Sequence, residues 1–373
     1  MQFSSPSGII LCIFFTSVLL QFFCLFFVFL PLTWHKTKTH QNPIPFPVSI
    51  IICVHNELDY LKSLLNSLLS QKHPQFEIVI VNDRSDQETY EFLYFFKKDQ
   101  PGIKVVTIDR NPEKFSPKKY ALFLGIKAAT YEHLLFTDAD CSPSGDDWLL
   151  HIQSAYTEKK QLVLGFSPVK SYHGFLNKFI RFETLITALQ YMGFAKLGMP
   201  YMGVGRNLSY TKSLFLKGHG FVNHIHLLGG DDDLFVNENG KGSNTAIVLS
   251  PESQVFTEPK KKFNDWFIQK SRHLSVGSHY SFANKLKAVF YPFSSIITLI
   301  SGLILLSVSY YPQWVLIILS VRYLTFMVIA GLIIRRLKNN THWFLVPLFD
   351  FIYVFYYLTM GIFVLRTRNQ KWK

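Results

Sequence analysis

The stretch VSIIICV, residues 48–54, is a continuous run of mainly β-branched apolar residues, typical of a strand buried on both faces of a parallel sheet. Similar runs follow at FEIVIV (76–81), IKVVTI (103–108) and HLLFT (133–137). Amphipathic helical patterns separate them at about 57–70, 87–98 and 118–129. This alternation predicts an α/β domain in which right-handed crossovers build a parallel sheet that is covered by helices.

Polar and acidic residues follow three of these predicted strands. They are His55-Asn56-Glu57, Asn82-Asp83 and Asp138-Ala139-Asp140. Ligands of open α/β sheets bind at the carboxyl ends of the strands, so an acidic site is predicted there. The glycine-rich G-x-G-x-x-G pattern is absent after the first strand, which argues against a dinucleotide-dependent dehydrogenase.

The pair Asp138 and Asp140 is the sharpest chemical signal. Two carboxylates two residues apart at a strand end can share a hard divalent cation, which in turn neutralises a pyrophosphate. Acidic pairs in loops are common and mostly solvated, but the position directly after an apolar strand raises this pair above that background. Asp83 adds a third acid, with a helix N-cap or an Asx turn as the alternative.

Three later segments carry further candidates. Lys118, in FSPKKYAL, begins a predicted helix, where a cation and free N–H groups suit a phosphate; a solvated lysine is the alternative. GGDDDL (229–234) offers aspartates that can accept a proton, or an acidic surface turn, and it lacks the ligand spacing of a calcium loop. Arg272, in QKSRH, can fork onto a diphosphate or belong to a basic patch beside a membrane.

Long apolar segments flank this middle region. Residues 8–33 carry no charge and are long enough to cross a bilayer as a helix. A cleaved signal peptide is the alternative, but the first basic residue is Lys36 and no small-residue cleavage motif follows, so a retained anchor is predicted. Three more apolar stretches run over about 288–311, 313–334 and 343–365 and predict a C-terminal membrane bundle.

Flanking cations predict the orientation. The lysines that support a cytoplasmic middle region are Lys36, Lys38, Lys285 and Lys287, together with the cluster 335–338. The basic tail 366–373 disagrees, because three C-terminal crossings would put it outside; one of the last three stretches would then be re-entrant or interfacial. The net charge of +13 fits anionic lipid and a pyrophosphate better than nucleic acid, since no nucleic-acid docking motif accompanies it. The four cysteines have neither disulfide-framework nor zinc-site spacing.

Taken in order, these segments resemble the family 2 inverting glycosyltransferases of GT-A fold, a family that includes cellulose, chitin and hyaluronan synthases and many bacterial polysaccharide and lipid glycosyltransferases. The matching pieces are PVSIIICVHNE, VNDRSD, KKYAL, TDAD, GRNLSY, GGDDDL and QKSRH. The resemblance implies a Rossmann-like catalytic domain over 47–280. A transmembrane anchor (1–33) and a linker (34–46) precede it, and transmembrane or interfacial helices (288–365) and a basic tail (366–373) follow.

The resemblance also implies roles for single residues on the donor side. Asp83 would bind the nucleobase or its ribose, with Glu57 near the same turn. Asp138 would touch the ribose or a metal, and Asp140 would ligate Mg²⁺ or Mn²⁺. The remaining donor-side residues are Lys118 and Arg272, which would face the diphosphate, and Gln269, which opens the Gln-x-x-Arg-Trp motif.

On the acceptor side the general base of the family falls on Asp231, with Asp232 as the alternative. Gly230 stands where the family usually has glutamate, and His273 where it has tryptophan. In processive synthases that tryptophan stacks on the acceptor sugar, so His273 argues against long-chain synthesis. The region 171–200 has apolar residues at near-helical spacing, which predicts either a helix along the bilayer surface that admits a lipid acceptor or an amphipathic helix that closes the domain.

The implied function is transfer of one hexose or aminohexose from a UDP- or GDP-linked donor to a lipid-linked or glycan acceptor, by a metal-dependent enzyme of the cell membrane with a cytoplasmic catalytic domain. A processive polysaccharide synthase is the close alternative. From a different class comes an inactive membrane-anchored glycan-binding protein, against which the complete set of acids at the strand ends argues. A nucleotidyltransferase of similar fold would leave QKSRH without a role.

Overall fold

The computed structural model describes residues 5–36 and 45–366. Lys38, most of the predicted linker and the basic tail beyond Arg366 lie outside the described residues. The chain divides into two compact units. The helical unit contains the N-terminal helix, Ser171–Phe194 and the helices that follow Tyr280; the sheet unit contains the chain from the linker to Lys170 and Ala195–Tyr280. The predicted boundaries of the catalytic domain, 47–280, stay a prediction.

The helices and strands follow one another in this order. The first are α1 (Pro6–Phe23), β1 (Val48–Val54), α2 (Leu58–Leu69), β2 (Phe76–Asp83), α3 (Gln87–Asp99), β3 (Ile103–Ile108), α4 (Pro117–Ala128) and β4 (His133–Asp138). Next come β5 (Cys141–Pro143), α5 (Trp148–Gln153), β6 (Leu162–Gly165), α6 (Phe175–Lys196), β7 (Leu208–Thr211), α7 (Lys212–Lys217) and α8 (Asp233–Asn239). The last are β8 (Thr245–Val248), β9 (Val255–Thr257), α9 (Phe263–Val276), α10 (Phe282–Ser307), α11 (Pro312–Arg336) and α12 (Val346–Arg366).

The main sheet has seven strands in the order β3-β2-β1-β4-β7-β6-β8, and β5 pairs with β9 in a second, two-stranded sheet. The predicted parallel arrangement is confirmed for β1 to β4. The prediction did not include the later strands, and the complete sheet is mixed, because β7 runs antiparallel to both β4 and β6. Strands β6, β7 and β8 are four residues each, too short for an apolar pattern of their own.

Helix α2 shows why the predicted elements form. Its leucines recur at helical spacing, and those at Leu61, Leu64, Leu65 and Leu68 are fully buried in the core that also contains β1. Burial of one such side chain contributes about 1.5–3 kcal/mol, so this face fixes the helix against the sheet. The parallel register pairs Cys53 with Asp138 and Val54 with Asn82, which brings the ends of three strands level.

Four helices of the helical unit are long and apolar enough to cross a membrane, as predicted: Pro6–Trp34, Phe282–Ser307, Pro312–Arg336 and Trp343–Val364. The first leaves α-helical geometry in a π-helical turn, Cys24–Phe29, and ends in a 3₁₀ turn around Pro31, which has no N–H for the helical ladder. The predicted start of the second stretch at 288 is late, since α10 begins at Phe282; Lys285 and Lys287 therefore lie inside the helix.

Helix α6 occupies most of the region 171–200. Phe179, Phe182, Leu185, Ile186 and Leu189 are all buried. The Phe182 ring lies 5.6 Å from that of Phe349 and 6.0 Å from that of Tyr353 on α12. The predicted helix is confirmed, and its apolar face is covered by protein instead of lying open along a bilayer surface.

A buried polar network joins α1 to the C-terminal helices. Arg322 on α11 pairs with Asp350 on α12, and also donates to Gln21 Oε1 and, at 2.9 Å, to the Tyr291 hydroxyl. Tyr291 in turn donates to Asp350 at 2.6 Å. Gln21 donates to Thr298 Oγ1 at 2.6 Å, so the amide connects the ion pair with α10. The network satisfies these charges, which have almost no contact with solvent.

We expect that Asp350→Leu lowers the free energy of unfolding in detergent by about 3–5 kcal/mol, because Arg322 then remains buried without its carboxylate. Combining it with Arg322→Met should restore most of the loss. The matched control is Asp147→Leu, which breaks the exposed pair with Lys72 and should change the free energy by less than about 1 kcal/mol. Equal losses in the single and double variants would contradict the assignment.

Candidate active site

The carboxyl ends of β1, β2 and β4 lie side by side in the sheet order and share one edge. Glu57 follows β1, Asp83 ends β2, and Asp138 ends β4. Two loops at this edge are bonded to each other: His55 Nδ1 lies 2.6 Å from the Asp83 carbonyl oxygen, and Asn56 Oδ1 accepts from the Asp86 N–H at 2.7 Å. The sheet therefore brings the acidic residues predicted after three strands to one place.

Asp83 is largely buried, and Arg84 holds its carboxylate in a fork. Arg84 Nε donates to Oδ1 at 2.8 Å and Nη2 to Oδ2 at 3.2 Å. Arg84 has a left-handed backbone, with φ of 57°, which turns the chain sharply after the strand. Arg84 is not among the residues predicted from the sequence, and its bidentate geometry fixes the plane of the Asp83 carboxylate.

Lys118 connects the two acidic segments. Helix α4 begins at Pro117 after Ser116, which places Lys118 in its first turn. The Lys118 Nζ lies 3.1 Å from Asp138 Oδ1 and 3.5 Å from Asp231 Oδ2. Burial lowers the pKa of Lys118, but the two carboxylates outweigh it and raise the pKa well above its ordinary value. The lysine is thus a fixed positive charge between the strand-end acid and the acidic turn.

Glu57 and Asp140 face the same region. Burial, Asp140 and Asp138 raise the pKa of Glu57, and burial and Asp138 raise that of Asp140. Asp140 Oδ1 accepts weak hydrogen bonds from Cys141 and from Thr257 on the paired strand β9, each at 3.4 Å. A bound cation stabilises the charged form of a carboxylate whose pKa is raised by acidic neighbours, so the donor set fits a hard divalent metal.

Within the described ranges, 5–36 and 45–366, no group of three or more His, Cys, Asp or Glu residues could hold a metal ion. Mg²⁺ usually keeps several waters and is bound by one or two carboxylates together with substrate phosphates, so a pair of aspartates is a sufficient set of protein ligands for it.

The acidic turn starts with two glycines in left-handed conformations, Gly229 with φ of 87° and Gly230 with φ of 77°. A Cβ on Gly230 would lie 2.6 Å from Leu234 Cδ1 and 2.9 Å from Val276 Cγ1. A side chain at position 230 would strain the backbone and clash with these two neighbours, which explains the glycine.

The three aspartates that follow have different environments. Asp231 faces Lys118. Asp232 accepts from the Gly205 N–H at 2.6 Å and from the Asp233 N–H at 2.8 Å, at the N-cap of α8. Asp233 accepts from the Tyr280 hydroxyl at 2.7 Å and from the Leu234 N–H at 2.8 Å. Of the three, Asp231 is the one whose carboxylate is directed at the cation of the site.

One pocket brings the two acidic segments together. Its polar lining includes Lys118, Asp138, Asp231 and Asp232, and its walls include Gly205 and the aromatic ring of Tyr210. Four of the predicted site residues thus line one pocket around Lys118. The predicted site residues that are not among its described lining residues are Glu57, Asp83, Asp140, Gln269 and Arg272.

Residues 49–221 match the family described as Glycosyl transferase family 2. This segment is a family 2 glycosyltransferase domain. The chain is 38% identical over 93 residues to a poly-beta-1,6-N-acetyl-D-glucosamine synthase of Staphylococcus epidermidis, covering 25% of this chain and 21% of that protein. It is 25% identical over 202 residues to a 4,4'-diaponeurosporenoate glycosyltransferase of Staphylococcus haemolyticus, covering 52% of each. The chain thus spans about half or less of these relatives.

The fold extends the likeness over nearly the whole chain. A mannosyltransferase of Pyrobaculum calidifontis, solved in complex with GDP-Man and Mn²⁺, superposes with a TM-score of 0.59 and 14% identity, covering 94% of this chain and 99% of that one. The predicted family and the predicted GT-A fold with apolar helices at both ends are confirmed.

The predicted late motif, QKSRH, lies on α9, beyond the segment that matches the family. Arg272 is within electrostatic range of Asp138 and Asp231, and Gln269 lies three residues before it, on the same side of the helix. His273, which stands where the family has tryptophan, is exposed.

Arg206 is a further cation of the site, and it is not among the residues predicted from the sequence. Its neighbours fix the turn: the Gly205 N–H bonds to Asp232, and the buried Asn207 donates to the carbonyls of Phe166 and Ser253, each at 2.8 Å. The Arg206 charge helps to hold the pKa of Asp138 below its usual value, after the opposing effect of burial and the larger effect of Lys118. The motif GRNLSY indicates this cation, because its glycine and asparagine form a rigid turn that presents the arginine between them.

Proposed function

We propose that this chain is a membrane-bound inverting glycosyltransferase that moves a hexose or aminohexose from a UDP- or GDP-linked donor to a lipid-linked or glycan acceptor. The observation that carries the proposal is the position of Lys118, between Asp138 of the donor-side motif and Asp231 of the acidic turn. A cation that bridges these two segments suits a reaction in which a diphosphate leaves next to the group that activates the acceptor.

The donor would lie along the edge formed by the strand ends. Asp83 and Glu57 bind the nucleoside, at the loops after β2 and β1. The cations Lys118, Arg206 and Arg272 face the diphosphate, with Gln269 in the same set. Arginine forks match phosphate oxygens in two parallel hydrogen bonds, and Lys118 adds a point charge.

Asp138 and Asp140 would hold Mg²⁺ or Mn²⁺. Asp138 raises the pKa of Asp140, after burial, and both aspartates raise that of Glu57, which supports this assignment because a cation relieves the repulsion of the three carboxylates. When bound, the metal supplies charge stabilisation to the departing diphosphate.

Asp231 is the proposed general base. It takes the proton of the acceptor hydroxyl while that oxygen forms a bond to the anomeric carbon of the sugar. The bond between the anomeric carbon and the diphosphate oxygen breaks in the same step, and its electron pair leaves with the nucleoside diphosphate. One displacement inverts the anomeric centre. Lys118 keeps the Asp231 carboxylate oriented towards this point, at 3.5 Å from its ammonium.

A processive polysaccharide synthase is the second candidate, and the names of the staphylococcal poly-beta-1,6-N-acetyl-D-glucosamine synthases favour it. The residue at the tryptophan position favours the single transfer. His273 offers a smaller ring than tryptophan on which an acceptor sugar can stack, so a growing chain is held less firmly.

The deciding experiment is a donor screen on purified protein in detergent, with release of nucleoside diphosphate measured for UDP-glucose, UDP-N-acetylglucosamine, UDP-galactose and GDP-mannose. We expect one donor to be strongly preferred and EDTA to abolish its turnover.

Asp140→Asn should lose both turnover and the protection from proteolysis that Mn²⁺ with nucleotide confers. The control Asp147→Asn, in an exposed turn, should retain both. Full activity in EDTA would exclude the metal, and no release from any donor would exclude the function.

The base assignment predicts an order of effects among the aspartates. A general base contributes roughly 10²–10⁴-fold to the rate, so Asp231→Asn should reduce turnover by that order with donor affinity almost unchanged. Asp232→Asn should cost less turnover, since this carboxylate caps α8 and holds Gly205. Asp233→Asn should act mainly through lower thermal stability, because Tyr280 and Leu234 depend on it. If Asp232→Asn reduces turnover most at equal donor affinity, the family's acidic motif is aligned one residue too early and Asp232 is the base.

The proposed location is the cell membrane, with residues 34–287 on the cytoplasmic side, where nucleotide sugars are made. We expect Glu113→Cys, at an exposed position, to resist an impermeant thiol reagent in intact bacterial cells and to react after lysis. Gln313→Cys, exposed at the start of α11, is the matched control and should react in intact cells. Both proteins carry Cys12→Ser to lower the background. The reverse labelling pattern would overturn the orientation.

A further inference from the structure

Lys119, the neighbour of Lys118 on α4, is 1% exposed. Its Nζ donates to the carbonyl oxygens of His224 and, at 3.0 Å, of Leu227. These carbonyls belong to the loop 222–228, which leads directly into the glycine turn and Asp231. The Lys119 ammonium is thus hydrogen-bonded to backbone carbonyls, and Lys119 is not among the residues that line the pocket.

The same end of α4 makes a further contact with this loop. The Ser116 N–H donates to the Ile225 carbonyl at 2.9 Å. Three hydrogen bonds from residues 116 and 119 therefore hold the loop at the helix that carries Lys118. Because Lys118 contacts Asp231, the loop and the catalytic lysine are positioned by one rigid element.

Placing an ammonium here is costly. Burial lowers the pKa of Lys119 to about 8, although nearby acids oppose the shift. The charged groups that face it are Asp231, Asp232, Asp233 and Glu238, and the charge of Lys119 in turn acts on the buried His224. An apolar side chain would fill the same volume without desolvation of a charge. Such a group is retained where its hydrogen bonds fix a geometry that packing alone does not specify.

We propose that Lys119 is a positioning residue for the transfer reaction: it fixes the loop 222–228 so that the Asp231 carboxylate lies at Lys118. The proposal rests on the proposed function, in which Asp231 is the general base. It gives the two adjacent lysines separate tasks, since Lys118 touches substrate and Lys119 acts only through the loop.

The test uses the full chain in detergent with the best donor of the screen. Lys119→Met keeps the length of the side chain and removes its donors. We expect turnover to fall about 10- to 100-fold, as a displacement of about 1 Å at a reacting group can do. The dissociation constants of UDP and GDP, each measured with Mn²⁺, should change less than about twofold, because the backbone of α4 still carries Lys118 and the other proposed ligands lie outside the loop 222–228.

Lys160→Met is the matched control. Lys160 also donates to two backbone carbonyls, that of Gly242 at 2.6 Å in a different turn and that of Thr245 at 2.8 Å at the start of β8. It should lower thermal stability and leave turnover unchanged. An equal loss of turnover in both variants would show that Lys119 is merely structural and would overturn the proposal.

A double-mutant cycle separates the outcomes. If Lys119 acts through Asp231, then Lys119→Met combined with Asp231→Asn should turn over no more slowly than Asp231→Asn. If the losses of turnover in the two single variants multiply in the double variant, the positioning role is overturned. Turnover lost in Asp231→Asn but kept in Lys119→Met overturns this inference and leaves the proposed function standing; turnover unchanged in Asp231→Asn overturns both. Should Lys119→Met fail to fold, Lys119→Gln, which keeps a shorter neutral donor, is measured in the same way with the same expected order.

Discussion

The repulsion among carboxylates collected at one edge of the sheet is the constraint on which the site depends. Two unit charges 4 Å apart interact by about 4 kcal/mol at an effective dielectric constant of about 20, so acids cannot gather there without cations between them. Lys118 meets this need in the structure by lying against Asp138 and Asp231 together. The start of α4 positions Lys118 for this contact, and the glycine turn with the loop before it positions Asp231.

Helix geometry explains how two consecutive lysines can serve one site in different ways. Neighbouring residues on an α-helix point roughly 100° apart, so Lys118 and Lys119 cannot face the same partner. One side chain lies in the pocket and the other is buried against backbone carbonyls. The motif KKYAL therefore encodes a charge and an attachment point in the same turn.

The sequence predicted the repeated strand–helix units of this fold. The strands 48–54 and 103–108 have the predicted bounds, because long apolar runs between polar loops have one favourable placement in a parallel sheet. Strands β6, β7 and β8 escaped prediction because their pairing depends on distant partners and not on local pattern. The sequence selected Asp231 as the proposed base only through the family resemblance, because the contacts that distinguish the three aspartates, with Lys118, Gly205 and Tyr280, come from remote positions.

The bond between Gln21 and Arg322 has a consequence for biosynthesis. During translation α1 is made long before α11 and α12 exist, and until then its glutamine amide lacks the guanidinium from which it finally accepts. Formation of α1 and assembly of the helical unit are therefore separate stages for this chain. A polar group in the first helix is the contact point for the helices made last, so an apolar segment of equal length without Gln21 would leave Arg322 without this hydrogen bond.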